Sequence, residues 1–267
     1  MLLVLREIIL NTPRLLTVTI LIIAFIIINF ILALLMFYKG RKLHNRTITL
    51  MAFIFFAGLS AWGGVFFNTM WILITDTFPV WIWTAYFMIQ GGLLFVFHFL
   101  WVIGATNLTN LKSSSRKTFL IIVGIILGIS QISWWIIVFT DISLFGTPSF
   151  PFSVDYSWIS YIYLTYSLLI FTLGVGWIAY ESGKTTDARI RLKSKFLWIY
   201  VIGITFGSFL EIYSPIEIIL ETYYAVEHLT AVVIASGIAK AILTFSVLCG
   251  YIGFMLPTFV EKMFLKE

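Results

Sequence analysis

Glu227-His-Leu-Thr-Ala-Val-Val-Ile-Ala-Ser236-Gly-Ile-Ala-Lys240-Ala-Ile-Leu-Thr244-Phe-Ser-Val-Leu-Cys-Gly-Tyr-Ile-Gly-Phe-Met-Leu-Pro257 is long enough to cross a bilayer and carries a lysine near its middle. An ammonium group at that depth costs at least ~2.5–3.5 kcal/mol on insertion scales, so it calls for a partner, a covalent use or a water-filled cavity. The remaining sequence bears on which of these Lys240 has.

The chain of 267 residues is 61% hydrophobic and only 11% charged, with a mean hydropathy of +1.04. A water-facing surface needs more polar side chains than that, so a soluble domain is excluded. A single cysteine, Cys249, leaves no intrachain disulfide and no cysteine-based metal cluster. About 20 apolar residues at 1.5 Å each cross ~30 Å of hydrocarbon. Seven segments qualify: Pro13 to Tyr38, Thr47 to Met70, Pro79 to Ala105, Lys117 to Thr140, Ser157 to Tyr180, Ser194 to Ser214 and Val226 to Leu256. The expected fold is all-α, a polytopic bundle of seven transmembrane helices over 13–257. A short interfacial segment, 1–12, precedes it and a cytoplasmic tail, 258–267, follows.

The loops orient the bundle. Lys39, Arg41, Lys42 and Arg46 fall in the first connection, Lys112, Arg116 and Lys117 in the third, and Lys184, Arg189, Arg191, Lys193 and Lys195 in the fifth; Lys262 and Lys266 lie in the tail. The second, fourth and sixth connections hold Asp76, Asp141, Asp155, Glu217 and Glu221 and no Lys or Arg. Positive residues stay inside, so the N-terminus is expected outside and the C-terminus in the cytoplasm, with Arg6 and Arg14 outvoted. The net charge of +5 follows from the same loops and points to anionic headgroups at the cytoplasmic face, with no nucleic-acid partner. The implied location is the cell membrane, spanned several times.

Polar residues inside the spans are few. The first helix is almost wholly apolar and is expected at the outside of the bundle. In the third, His98 shares a face with Thr84 and Gly91, and Gln90 lies about 100° away. His98 reads either as a histidine bonded to a neighbouring helix or as a protonation switch. Trp134-Trp135 reads as an outer aromatic anchor, and the long connection from Asp141 to Tyr156 as a candidate lid. The sixth helix repeats Gly203-x-x-x-Gly207-x-x-x-Glu211, a contact face that ends in an acid. Glu211 is therefore the expected partner of Lys240. Ser236, Lys240 and Thr244, four apart, form one stripe and a candidate pocket floor. The candidate ligand-pocket set is Lys240, Glu211, Ser236, Thr244, Gln90 and His98. Two readings of the pair stay open: a structural ion pair, or the lining of a cavity whose ligand or proton load shifts helices six and seven.

A seven-helix protein with a lysine in its last helix resembles the microbial rhodopsins, in which that lysine would form a retinal Schiff base. That resemblance implies carboxylates in helix three and four residues before the lysine; here Ser236 holds the latter place, and Tyr86 and Gln90 stand in an acid-free third helix. No cofactor is therefore expected, with retinal on Lys240 as the exception to test. A broader resemblance rests on the basic turn Lys39 to Arg46 followed by Phe53-Ile-Phe-Phe-Ala-Gly-Leu-Ser-Ala-Trp62-Gly, on Trp83 and Gly91-Gly-Leu-Leu-Phe-Val-Phe-His98-Phe-Leu, and on Gly250-Tyr-Ile-Gly-Phe-Met-Leu-Pro257. In these the chain resembles the seven-helix N-terminal sensor modules of histidine kinases. The resemblance implies a receptor or sensor that signals to a separate cytoplasmic protein, since ten residues follow Pro257. A small transporter using Glu211, His98 and Lys240 as a relay is the alternative. The scattered histidines, His44, His98 and His228, supply no metal cluster, so an enzyme is not expected. A second copy of the chain is also an open partner.

Overall fold

The computed structural model describes residues 10, 13–77, 82–109, 111–148, 154–212 and 228–265. Apolar runs of this length have one economical solution in hydrocarbon, the α-helix, because every backbone polar group must be paired within the segment. The described residues follow that rule. The helices are α1 (Pro13–Lys42), α2 (Arg46–Met51), α3 (Phe53–Thr75), α4 (Ile82–Gly91), α5 (Leu94–Thr106), α6 (Ser113–Thr140), α7 (Trp158–Gly183), α8 (Ala188–Ile212), α9 (His228–Met255) and α10 (Thr258–Phe264). The exception is a short antiparallel pair, β1 (Gly146–Pro148) and β2 (Val154–Tyr156). Over the described residues, six rods are long and apolar enough to cross a membrane: Leu16–Lys42, Arg46–Thr75, Trp83–Thr106, Ser113–Thr140, Trp158–Gly183 and Gly237–Met255. Over the described residues the chain is thus a helical protein whose rods have the length and composition to cross a membrane. α8 is one more long helix beside them, its first turns charged and its remainder apolar. The expected segment 1–12 lies, apart from Leu10, outside the described residues.

The packing order closes a ring. α1 lies against α3 and α9, α9 against α8, α8 against α7, α7 against α5, and α5 against α3; α6 sits outside on α4 and α5. α6 is accordingly the least covered of the six rods. α1 is not peripheral on every side, contrary to its uniformly apolar sequence. One face, with Phe25, Asn29 and Met36, is buried in the bundle. The rest of the helix, with Ile20, Ile27, Ile31 and Leu35, is exposed as expected of an outer helix; nothing in an all-apolar stretch distinguishes that side from the core-facing one.

The tightest interface is α8 with α9, and small residues set it. Leu197 fills the space over Gly253, Tyr200 lies over Gly250, Gly203 admits Ser246, and Gly207 admits Leu243. A Cβ at Gly207 would stand 2.9 Å from the Leu243 side chain, and one at Gly250 2.7 Å from the Tyr200 ring. Each turn along α8 is matched by a turn back along α9, so the next step of the same register sets Glu211 opposite Lys240.

The third rod is broken, where the sequence predicts one continuous helix. α4 ends at Gly91 and α5 begins at Leu94, with Leu93 at φ −131° and ψ 6°. Freed carbonyls in a membrane interior must find donors. Side chains from two neighbours supply them. Gln131 of α6 donates to Gly91 O and Gly92 O, both at 3.0 Å, and accepts from Phe95 N at 3.2 Å. Trp135 donates to Gly92 O and Trp134 to Phe87 O. Ser60 of α3 reaches Ile89 O and Gln90 O. Trp134 is therefore no headgroup anchor. It is 1% exposed and packs on Phe87, Phe95, Phe145 and Tyr163.

Candidate functional site

Four helices meet at Lys240. α9 carries the lysine, α8 brings Glu211, α3 brings Trp62 and α1 brings Phe25. Lys240 Nζ forms a direct ion pair with Glu211 Oε1. Trp62 Nε1 donates to the other oxygen, Oε2, at 2.5 Å. Both carboxylate oxygens are thus engaged, one by a cation and one by a neutral donor. The Phe25 and Trp62 rings meet edge to face at 5.3 Å, and each centroid lies 5.7 Å from the ammonium, within cation–π range. The two charges are unequally covered. The lysine side chain is 1% exposed and the glutamate side chain 20%. The ammonium has no other polar partner among the described residues.

The other sequence candidates divide between separate places. Thr244 donates its hydroxyl to the Lys240 carbonyl at 2.8 Å, so it extends the stripe but spends its proton within α9. Ser236 falls on α9, and its side chain lies outside the described residues. Gln90 belongs to a second polar cluster: its Nε2 donates to Tyr156 Oη at 2.8 Å, and that hydroxyl shares a 2.9 Å hydrogen bond with Tyr86 Oη.

α3 is the wall between them. Ser60, Gly63 and Gly64 face α4, where Gly64 abuts Tyr86 and Gly63 abuts Ile89. Trp62 points the other way, to Glu211. The hairpin end of the bundle joins through Tyr156, the last residue of the connection read as a lid. In the described part of that connection Phe145 is fully buried against Trp134, and Ser160 donates to Phe145 O at 2.5 Å.

His98 stands apart from both clusters. Indole N–H groups can only donate, so the 2.9 Å bond from Trp101 Nε1 makes His98 Nδ1 an acceptor. The proton then sits on Nε2, 2.7 Å from Ser167 Oγ. A second proton on Nδ1 would set two donors against each other. This is the arrangement of a histidine bonded into its neighbours, not of a switch, and it shares no contact with Glu211 or Lys240.

Several buried polar atoms near these clusters have no hydrogen-bond partner among the described residues: Asn29 Oδ1, both side-chain atoms of Asn68, Gln90 Oε1 and Ser208 Oγ. Each costs about 1–3 kcal/mol left so. Ser208 is one turn from Glu211 and Asn29 one turn from Phe25, so two of them flank the ion pair. No group of three His, Cys, Asp or Glu residues suited to a metal occurs among the described residues.

Trp62, Gln131 and Tyr156 were not singled out as functional from the sequence. Each is one member of a common type, and only its partner on a distant helix gives it meaning. No family model matches the chain, and comparison with curated proteins and with solved structures finds no match.

Proposed function

We propose that this chain is a seven-helix receptor or sensor of the cell membrane, with its N-terminus outside, and that α8 serves as the sixth span. In this reading a small polar ligand or a change in the membrane acts on the cluster around Glu211 and Lys240, and the response leaves by the basic end to a separate cytoplasmic protein. The observation that carries it is the carboxylate of Glu211, held between Lys240 and Trp62, partly open, and near the buried polar atoms of Ser208 and Asn29, which have no hydrogen-bond partner among the described residues. A ligand with a hydrogen-bonding head would satisfy Ser208 and Asn29 and compete for the same carboxylate.

The route outward also has physical support. The meshed α8–α9 pair runs from Glu211 to the basic end. There Arg189 of α8 pairs with Glu261 of α10 at 2.6 Å, and Lys193 donates to Phe254 O of α9. A shift of one helix against the other is transmitted to α10, whose Phe259 and Met263 are exposed. The test is hydrogen exchange on the full chain in nanodiscs, comparing wild type with Glu211→Gln. Altered exchange in 184–195 and 258–265 supports the reading. Change confined to the neighbourhood of residue 211 counts against it.

One observation favours a second reading, a small transporter. Broken helices in membranes commonly line substrate paths, and the α4–α5 break lies in the same rod as Gln90. Proteoliposome flux abolished by Lys240→Ala would decide for transport. A retinal-dependent visible band lost in Lys240→Ala would instead establish the Schiff-base use of the lysine.

A further inference from the structure

The basic end carries a groove that the ion-pair site does not use. It is a shallow, open groove of about 630 Å³ along α6 beside α5, lined by Ser113, Arg116, Lys117, Ile121 and Gly124 of α6 and by Phe99 of α5. Its mouth is polar and its floor apolar. Arg116 is half-buried and held in place: Nε donates to Thr106 Oγ1 at 3.1 Å, and Nη2 donates to Asn107 Oδ1. Both acceptors are neutral. Among the described residues no carboxylate pairs with this guanidinium. Lys117 beside it is exposed, and Lys112 gives the first turn of α6 no side-chain cap, so uncapped amide hydrogens lie at the helix start next to Ser113, which lines the mouth. Oriented cations and free amides at a helix start favour an anion.

Beyond the mouth the groove turns apolar. From Lys117 to Gly124 it follows α6 for about 10 Å at 1.5 Å per residue. Gly124 lets the trough pass close to Phe99, whose ring would stand 3.1 Å from a Cβ there. Ile121 and Ile125, more than half exposed, form its lipid-facing rim. A free phosphate would use only the mouth. A molecule with a phosphate and an acyl chain uses both parts.

We propose that this groove holds one anionic phospholipid, its phosphate on Arg116, Lys117 and the first-turn amides of α6, and one acyl chain lying along Ile121 and Gly124 against Phe99. Lipid retention by the full chain, released from detergent and measured by native mass spectrometry, tests it with phosphatidylglycerol, phosphatidylcholine and inorganic phosphate as probes. Wild type retains phosphatidylglycerol in preference to phosphatidylcholine. Removing one cation lowers that affinity about fivefold, the effect expected of one basic residue at a lipid surface. Arg116→Gln reads this directly. Because Arg116 also ties Asn107, Lys117→Gln repeats the test on an exposed side chain, and Lys42→Gln on another loop serves as the control. Ile121→Trp fills the trough and lowers retention with the charges intact. Equal retention of the two lipids by wild type would overturn the proposal. So would insensitivity to both Lys117→Gln and Ile121→Trp, or displacement of phosphatidylglycerol by phosphate alone at the same concentration.

Discussion

Removing Glu211 will cost more than removing Lys240, and removing both will cost least. The reason is the unequal cover of the two charges. Glu211→Leu leaves an ammonium with 1% exposure between Phe25 and Trp62 and no other polar partner among the described residues. Breaking a buried pair in this way costs about 3–5 kcal/mol. The lower end applies here, because an unfolded state within the membrane lets the lysine find water or headgroups. Lys240→Met leaves a carboxylate that is 20% exposed and still accepts from Trp62. Its cost is that of one lost charged bond, about 1.5–3 kcal/mol, reduced by that exposure. Glu211→Leu with Lys240→Met replaces both charges by apolar side chains of similar volume, and such exchanges are often neutral. Reversible unfolding in mixed micelles, followed by tryptophan fluorescence, measures all four corners of the cycle. A lysine variant as unstable as the glutamate variant, or a double variant as unstable as the sum of the singles, would refute the argument.

Further outcomes follow from other contacts. Gln131→Leu removes the donor to Gly91 O and the acceptor of Phe95 N–H, while Gly92 O keeps Trp135; it should destabilise by about 2–3 kcal/mol in the same assay, since each unpaired buried group costs about 1–3. Gly207→Ile forces Leu243 aside, so the Glu211–Lys240 coupling energy should collapse when the cycle is repeated in that background. Imidazole nitrogen spectra of His98 should show Nδ1 bare and Nε2 protonated, and Trp101→Phe should let the other tautomer appear. Lys193, at the basic end, has its pKa lowered, first by burial and then by Arg189 and Lys39. The folded state therefore binds its proton less readily than the unfolded chain, and stability is penalised while that proton is held. Lys193→Gln should stabilise the protein at neutral pH. The gain should shrink as pH rises through the lowered pKa toward the ordinary lysine value of ~10.4.

The helical rods were legible because hydrocarbon thickness imposes a length that composition alone reveals. The ion pair was legible for a related reason: so few charges lie within apolar runs that Lys240 and Glu211 had each other by elimination, and the glycine spacing before Glu211 pointed to the same face. What stayed hidden depends on contacts between distant residues. Gln131 looks like an isolated amide until the break after Gly91 is seen, and that break has no proline to announce it. Trp134 looked like an anchor because it neighbours Trp135, yet one turns to the core and the other to the rim. Tyr156 sits in a connection, sixty-six residues from Gln90, and no local pattern links them. His98 was legible as a polar residue within a span; its bonds from Trp101, three residues on, and to Ser167 were not.

The glycine notches between α8 and α9 have a mechanical consequence. Bulky side chains seat in them one turn at a time, so the pair behaves as a detent and not as a smooth bearing. Small slides meet a steric wall at every notch, and the next position that seats lies one turn away, about 5.4 Å. At that position Leu243, the neighbour of Lys240 in the same register, comes opposite Glu211, and an apolar side chain takes the place of an ammonium. A slide of these helices would therefore settle in one of two settings, which differ in whether the carboxylate faces a cation.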